Sequence, residues 1–177
     1  MLSSDFKKKY GETKNLHNEE GIKKIKELVK DITTCMFCTE VEKPPFKTRP
    51  MATLDVDDEG NVWFMSSRNS SKNDEIKTDA QVQLIYAKGG SSHFLSISGK
   101  ARITKDKEMI DQLWNAFAKA WFQEGKDDPN ISVIKIIPEK AYYWDTVHGK
   151  MVSLLKIAAS VVSGKTIDDR VEGNIIF

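Results

Sequence analysis

The chain has 177 residues, with 27 Lys plus Arg against 26 Asp plus Glu, so its formal net charge is +1. Hydrophobic residues make up 40% and charged residues 30%, a balance that argues against an intrinsically disordered chain. The low net charge argues against a general affinity for nucleic acid or anionic lipid. No apolar run of about 18 residues or secretory signal is present. We therefore expect a soluble cytoplasmic protein that binds neither nucleic acid nor membranes.

The first regular pattern along the chain is an amphipathic helix over residues 19–32, preceded by an N-terminal extension of residues 1–17. Asn18 is the expected N-cap, and lysines occupy the face opposite the apolar one. The apolar face carries Ile22, Ile25, Leu28, Val29 and Ile32.

Short segments rich in β-forming residues follow this helix. The expected strands are 35–41, 49–56, 61–67, 81–87, 93–103, 131–138 and 141–146. Residues 57–60 predict a hairpin turn, Gly99 a bulge, and Pro138 a break between the last two strands. The fold class is therefore mainly β (α+β), expected as a small antiparallel β-barrel with flanking helices.

Two helical patterns accompany these strands. Residues 106–122 predict one helix whose stripe contains Trp114, Phe117 and Trp121, a pattern more typical of a core or a dimer interface than of a cofactor site. Residues 151–162 predict a short helix, followed by a polar C-terminal tail over residues 166–177.

Two short motifs invite a chemical interpretation that their context does not support. A zinc site built on Cys35-x-x-Cys38 needs a second pair of ligands, and the three histidines are scattered singly, so we expect a structural role and no metal. Gly164-Lys165-Thr166 lacks the first glycine of a phosphate-binding P-loop and follows an apolar helix rather than opening one. The sequence also contains no nucleophile motif that would mark a catalytic triad.

A more informative segment spans residues 49–72, RPMATLDVDDEGNVWFMSSRNSSK. Arg49 begins one strand of a hairpin, and the partner strand leads into a polar loop with Arg68, Ser71 and Lys72. Hydroxyl groups, backbone N–H groups and flanking cations suit a phosphate monoester, and residues 72–79 offer a helix N-terminus. A solvated turn has the same composition, so the residues alone leave both interpretations open.

The order of motifs resembles the flavin-binding split β-barrels related to pyridoxamine 5′-phosphate oxidase. The motifs are R-P-M-A-T-L, a D-x-x-G turn, V-W-F-M-S-S, S-S-K, Q-V-Q-L-I-Y-A and F-L-S-I-S-G-K-A. The chain is most similar to the general stress protein branch, over about residues 20–165. The resemblance implies a six-stranded split barrel, an FMN-binding domain over residues 18–165, and a homodimer with FMN in two clefts at the interface.

The resemblance also implies a set of cofactor-binding residues. Arg49 and Lys72, assisted by Ser71, would bind the FMN phosphate. The flavin and ribityl chain would lie along Pro50, Met51 and Ala52, with contacts from Met65, Ser66 and Ser67. Phe94 and Ser96 would approach from the next strand, and Trp144 from the partner subunit.

The chain departs from pyridoxamine 5′-phosphate oxidase in two places. Ser70-Ser71-Lys72 stands where that oxidase has Ser-Arg-Lys, with Arg68 close enough in sequence to compensate, and no arginine-rich C-terminal segment is evident. We therefore expect an FMN-dependent oxidoreductase that uses reduced nicotinamide and an unidentified small acceptor, rather than that oxidase. The alternative is a non-catalytic protein that binds flavin, deazaflavin or haem. His93 and His148 are the histidines available as haem ligands.

Overall fold

The computed structural model describes residues 12–90, 93–146 and 170–177. The strands are β1 (Glu12–Thr13), β2 (Leu16–His17), β3 (Thr34–Thr39), β4 (Lys47–Ala52), β5 (Asp55–Val56), β6 (Val62–Ser67), β7 (Gln81–Ala87), β8 (Phe94–Thr104), β9 (Ile131–Thr146) and β10 (Arg170–Ile176). The helices are α1 (Asn18–Ile32), α2 (Ser71–Thr78), α3 (Lys107–Leu113) and α4 (Ala116–Trp121), with a 3₁₀ turn at Gly125–Asp127.

Six strands form the antiparallel body of the fold in the order β4-β3-β7-β8-β9-β6. Strands β4 and β6 end this order, and the described residues form no ladder between them. The gap between these two strands is bridged at one end only, by the connection that follows β4. There the Leu54 N–H donates to the Trp63 carbonyl at 2.9 Å, and β5 pairs with β6. This mainly β arrangement confirms the split barrel.

Strand β9 is continuous from Ile131 to Thr146, so the break expected at Pro138 is wrong. Pro138 lies opposite Gly99, where the register between β8 and β9 shifts. A proline donates no N–H to a ladder, and a bulge is one of the few places in a sheet that accommodates it. The bulge predicted at Gly99 is confirmed.

Helix α1 covers the barrel with the face that its periodicity predicts. Ile25, Leu28, Val29 and Ile32 are buried, whereas Ile22 is only partly buried. Asn18 is not the N-cap: it is the first helical residue, with a left-handed φ of 46°, and His17 stands before it without a side-chain capping bond. The chain enters the helix directly from β2, which leaves no separate turn for a cap.

The helix predicted over residues 106–122 is two helices. Trp114 and Asn115 have extended backbones, and the Asn115 side chain accepts the Ala118 N–H at 2.9 Å. This bond starts α4 with its own N-cap, which explains the break. Trp121 consequently leaves the stripe of α3, and 72% of its surface is exposed.

The polar C-terminal tail contains strand β10, Arg170–Ile176. Strand β10 pairs with the second half of β9, and the short strands β1 and β2 pair in parallel with β10. Both ends of the described chain thus extend the barrel sheet. The helix predicted over residues 151–162 and the Gly164-Lys165-Thr166 motif lie outside the described residues, and the domain boundaries stay a prediction.

Both cysteines are buried and free on β3. Burial raises the pKa of the Cys35 thiol to about 12, which leaves it almost entirely un-ionised at neutral pH. Within the described ranges, no group of three or more His, Cys, Asp or Glu side chains has the arrangement of a metal site. None of the described helices has the length and apolar composition needed to cross a bilayer.

Replacing Gly99 with Ala should destabilise the fold, because an added Cβ would lie 2.3 Å from the backbone carbonyl oxygen of Ile137. We expect a loss of about 1–3 kcal/mol in the free energy of unfolding, measured with urea. Gly89→Ala is the matched control, since a Cβ added at Gly89 would have no atom within 4 Å. Equal stability of the two variants would contradict the close approach.

Candidate functional site

A cavity of about 250 Å³ lies in the split between β4 and β6. One wall comes from β4 and the residues that follow it, and a second from the end of β6. Helix α2 contributes Lys72, and α4 contributes Ala118 and Trp121. Phe122, which follows α4, also lines the cavity. Lys72 is the only titratable side chain among these lining residues. The cavity is therefore an apolar slot with serine hydroxyls and one ammonium group.

Seven of the twelve residues that the sequence analysis names as cofactor-binding line this cavity. They are Pro50, Met51, Ala52, Met65, Ser66, Ser67 and Lys72. They meet here because β4 and β6 run along opposite sides of the split. Ser71 is the exposed first residue of α2 and does not line the cavity, and neither does the exposed Arg68.

Lys72 is placed by a buried polar network at the start of α2. The Asn73 amide donates to the Ser132 hydroxyl of β9 at 2.8 Å, and the Ser66 hydroxyl donates to the Asn73 carbonyl oxygen at 3.2 Å. Ser132 in turn donates to the Ser66 carbonyl at 3.0 Å. These bonds join β6, β9 and α2, so they fix the first turn of the helix against the cavity.

The ammonium group of Lys72 is half-buried, and none of the described carboxylates forms an ion pair with it. Burial and the neighbouring positive charge of Arg49 lower the pKa of Lys72, against a smaller raising effect from Glu75. A partly desolvated cation that lines a cavity without an ion-pair partner favours an anionic ligand.

Arg49 does not line the cavity but lies next to it, held by two side chains. Its Nη2 lies 2.7 Å from a Glu75 carboxylate oxygen, and its Nη1 donates to the Thr39 hydroxyl at 2.7 Å. The Thr39 hydroxyl donates to the same Glu75 oxygen. Lys47 reaches the other Glu75 oxygen at 3.3 Å. The result is a cationic cluster of Lys47, Arg49 and Lys72 around one buried carboxylate.

Phe94, Ser96 and Trp144 lie on a different surface. They line a second, shallow cleft with Ile85 on the β7-β8-β9 part of the sheet, and none of them lines the cavity between β4 and β6. Phe94 and Trp144 are cross-strand partners. Within one chain, the structure therefore divides the expected cofactor residues between two surfaces.

His93, one of the two histidines available for a haem ligand, is engaged elsewhere. Its ring nitrogens lie 2.9 Å from an Asp31 carboxylate oxygen and 3.2 Å from an Asp145 oxygen, and it does not line the cavity. His148 lies outside the described residues. The cavity thus receives no histidine from the described part of the chain.

Sequence reasoning missed two groups of site residues. It assigned Trp121 to a core or interface, whereas the structure places it at the cavity, because the break at Asn115 turns α4 away from α3. It gave no role to Thr39 or Glu75, which hold Arg49. The only available signal was that Glu75 follows Lys72 by three residues, which places both near one face of a helix.

Replacing Glu75 with Gln should make unfolding less sensitive to acid. Burial alone would raise the pKa of Glu75, but hydrogen bonds from Thr39 and Arg49 and the Arg49 charge outweigh it, so the pKa is lowered. The ionised carboxylate therefore stabilises the fold above its unfolded-state pKa, and this contribution is lost as pH falls through the folded-state value.

We expect Glu75→Gln to lose about 2 kcal/mol in the free energy of unfolding at neutral pH, with a smaller difference from wild type as the pH falls to about 3. Urea unfolding across this range measures the difference. Asp74→Asn, which changes an exposed carboxylate on the same helix, is the control. A Glu75→Gln difference that stays constant with pH would contradict the stabilising role of the ionised form.

Comparisons with known proteins agree with this geometry. The family model described as pyridoxamine 5′-phosphate oxidase like matches residues 20–168. General stress protein 26 of Bacillus subtilis is 30% identical over 81 residues, which are 44% of this chain and 57% of that protein. The chain spans little more than half the length of the two curated relatives that it matches.

Two solved structures show the same fold. A candidate general stress protein 26 from Jannaschia sp. CCS1 superposes with a TM-score of 0.73 at 21% identity, covering 90% of this chain and 96% of that one. The general stress FMN/FAD binding protein of Xanthomonas citri superposes with a TM-score of 0.62 at 28% identity, covering 73% and 90%. The chain therefore belongs to the pyridoxamine 5′-phosphate oxidase-like family.

Proposed function

We propose that this chain is an FMN-binding flavoprotein. The observation that carries the proposal is the half-buried Lys72 ammonium, without a partner carboxylate in the described chain, at an apolar cavity in the split. A flavin mononucleotide combines a flat apolar ring with a dianionic phosphate, and the cavity offers apolar walls and a cationic end. The relative from Xanthomonas citri, which is named as FMN/FAD binding, supports a flavin.

The residues of the site fit such a ligand in three respects. Met51, Met65 and Trp121 offer apolar and aromatic surface for a ring system. The hydroxyl of the exposed Ser67 offers a polar contact along the slot, whereas the Ser66 hydroxyl is bonded to Asn73. Lys72, with Arg49 next to it, would hold the phosphate, and α2 begins at this end of the cavity. A single phosphate site favours FMN over FAD.

The activity that we propose is oxidoreduction between reduced nicotinamide and a small acceptor. A bound flavin supplies hydride and electron transfer, so the protein has to bind, orient and partly desolvate it. The lining residues include no carboxylate or histidine to act as a general acid or base. The cytoplasm, where reduced nicotinamide and free thiols such as those of Cys35 and Cys38 persist, is the compartment that we propose.

The test is a visible absorption spectrum of the freshly purified protein, followed by heat release and identification of the chromophore. Released FMN would support the proposal, and steady oxidation of reduced nicotinamide by the holoprotein would support the enzyme. Tight flavin binding without turnover would favour the non-catalytic alternative. A colourless protein that also fails to bind added FMN would overturn the cofactor assignment.

We further propose that the functional unit is a homodimer. Four large apolar side chains on the β3-β7-β8-β9 surface are 38–42% exposed: Met36, Ile85, Phe94 and Trp144. Met36 pairs with Ile85 across β3 and β7, and Phe94 pairs with Trp144 across β8 and β9, so they form neighbouring cross-strand pairs. A second copy covering this surface would also bring Phe94 and Trp144 towards a cavity that they do not reach in their own chain.

Replacing Lys72 with Met should weaken FMN binding by about 10- to 100-fold, because a charge-assisted contact to phosphate is lost. Riboflavin, which lacks the phosphate, should bind as in the wild type. Fluorescence titration measures both affinities. Lys77→Met is the matched control, since Lys77 lies on the same helix but is exposed and paired with Asp74. Unchanged FMN affinity in Lys72→Met would contradict the phosphate site.

Replacing Ile85 with Glu should convert the dimer to monomers, because a carboxylate would then be buried in the apolar interface. Sedimentation velocity measures the change. Phe46→Glu is the control: Phe46 is 50% exposed but lies in the loop before β4, away from this surface. A dimer that survives Ile85→Glu would place the interface elsewhere.

A further inference from the structure

We propose that Glu75 is a positioning residue that makes the site selective for a phosphorylated flavin. The inference rests on the proposed FMN site and assigns a role to a side chain that does not line the cavity. Glu75 lies on α2, one turn after Lys72, and is only 6% exposed. Burying a charge costs free energy unless the charge is paired, so a carboxylate buried beside a ligand site indicates a specific role.

The first argument is geometric. Glu75, Thr39 and Arg49 form a closed triangle of hydrogen bonds that joins α2, β3 and β4. A guanidinium group has five N–H donors, and these bonds use two of them. The triangle therefore fixes the plane of Arg49 while three donors stay outside it. A guanidinium held in one plane binds phosphate oxygens without losing further rotamer freedom.

The second argument is electrostatic. Lys47, Arg49 and Lys72 carry three positive charges, whereas Glu75 and Glu40, whose carboxylate lies 3.4 Å from Lys47, carry two negative ones, so the five side chains sum to +1. A phosphate monoester carries about −1.5 to −2 charges at pH 7, so this excess of positive charge favours its binding. Without Glu75, Arg49 would lose its anchor, and the neighbouring cations would repel one another.

Other roles of Glu75 predict different changes in flavin affinity when the residue is replaced. If Glu75 merely competed with phosphate for Arg49, its removal would free the guanidinium and tighten FMN binding. If Glu75 served the fold alone, its removal would weaken FMN and riboflavin by the same factor. Positioning of Arg49 predicts a loss that is confined to the phosphorylated ligand.

The experiment measures the affinities of the wild type, Glu75→Ala and Glu75→Gln for FMN and riboflavin by titration at neutral pH, after circular dichroism has confirmed folding. We expect Glu75→Ala to weaken FMN binding by about tenfold or more and to leave riboflavin binding unchanged. Glu75→Gln keeps an oxygen that accepts from Arg49, so its loss should be smaller. Asp74→Ala, which removes an exposed carboxylate from the same helix, should change neither affinity.

The outcomes separate this inference from the function on which it rests. A wild type that binds FMN no more tightly than riboflavin overturns the proposed phosphate site itself. A wild type that prefers FMN, with Glu75 variants that keep the same preference or bind FMN more tightly, overturns only the role of Glu75. If Glu75→Ala fails to fold, the ratio of FMN to riboflavin affinity in Glu75→Gln decides the question.

Discussion

The gap between β4 and β6 is the constraint on which the site depends. These strands are joined through β5 and a short turn, yet they stand at opposite ends of the six-strand order. Had they paired along their length, the barrel would have closed and left no slot between the two strands. Because they pair only through the residues next to β5, each presents side chains to a shared slot. Helices α2 and α4 then cover what the strands leave open, and each adds one functional group, Lys72 or Trp121.

Charge at one end of this slot is arranged around a single carboxylate. Glu75 accepts from Thr39 and Arg49 and also lies near Lys47, so its own burial is compensated. The same compensation leaves the cluster with excess positive charge, most directly at Lys72. A protein that kept this excess without a ligand would carry an electrostatic cost, since the half-buried ammonium loses hydration and the charge of Glu75 offsets only part of that loss. An anion in the cavity removes that cost.

Local sequence patterns could predict most of this fold, and a resemblance could predict half of the site. The strand predicted over residues 93–103 and the apolar face of α1 are properties of short segments, and the structure has both, with Ile22 only partly buried. Three features depend on residues that are distant in sequence, so local sequence patterns could not predict them. They are the pairing of β10 with β9, the continuity of β9 through Pro138, and the anchoring of Arg49 by Glu75. The break at Asn115 has a local cause, but the apolar stripe continues on both sides of it and therefore predicts one uninterrupted helix. Phe94 and Trp144 lie away from the cavity within the chain, so the cofactor contacts that the resemblance implies for them stay a prediction.

The two cysteines of β3 have a consequence for the protein's chemistry under oxidising conditions. Thiols react with peroxide and with disulfides as thiolates, and burial with the high pKa of the Cys35 thiol keeps the thiolate fraction of that residue very small. Cys38 is shielded by the same strand packing, with its sulfur 3.5 Å from the Thr48 hydroxyl. Oxidants that reach the surface therefore meet no reactive thiol on this strand. The C-x-x-C spacing, which elsewhere marks a redox switch, here supplies two small side chains that leave the barrel inert to thiol exchange.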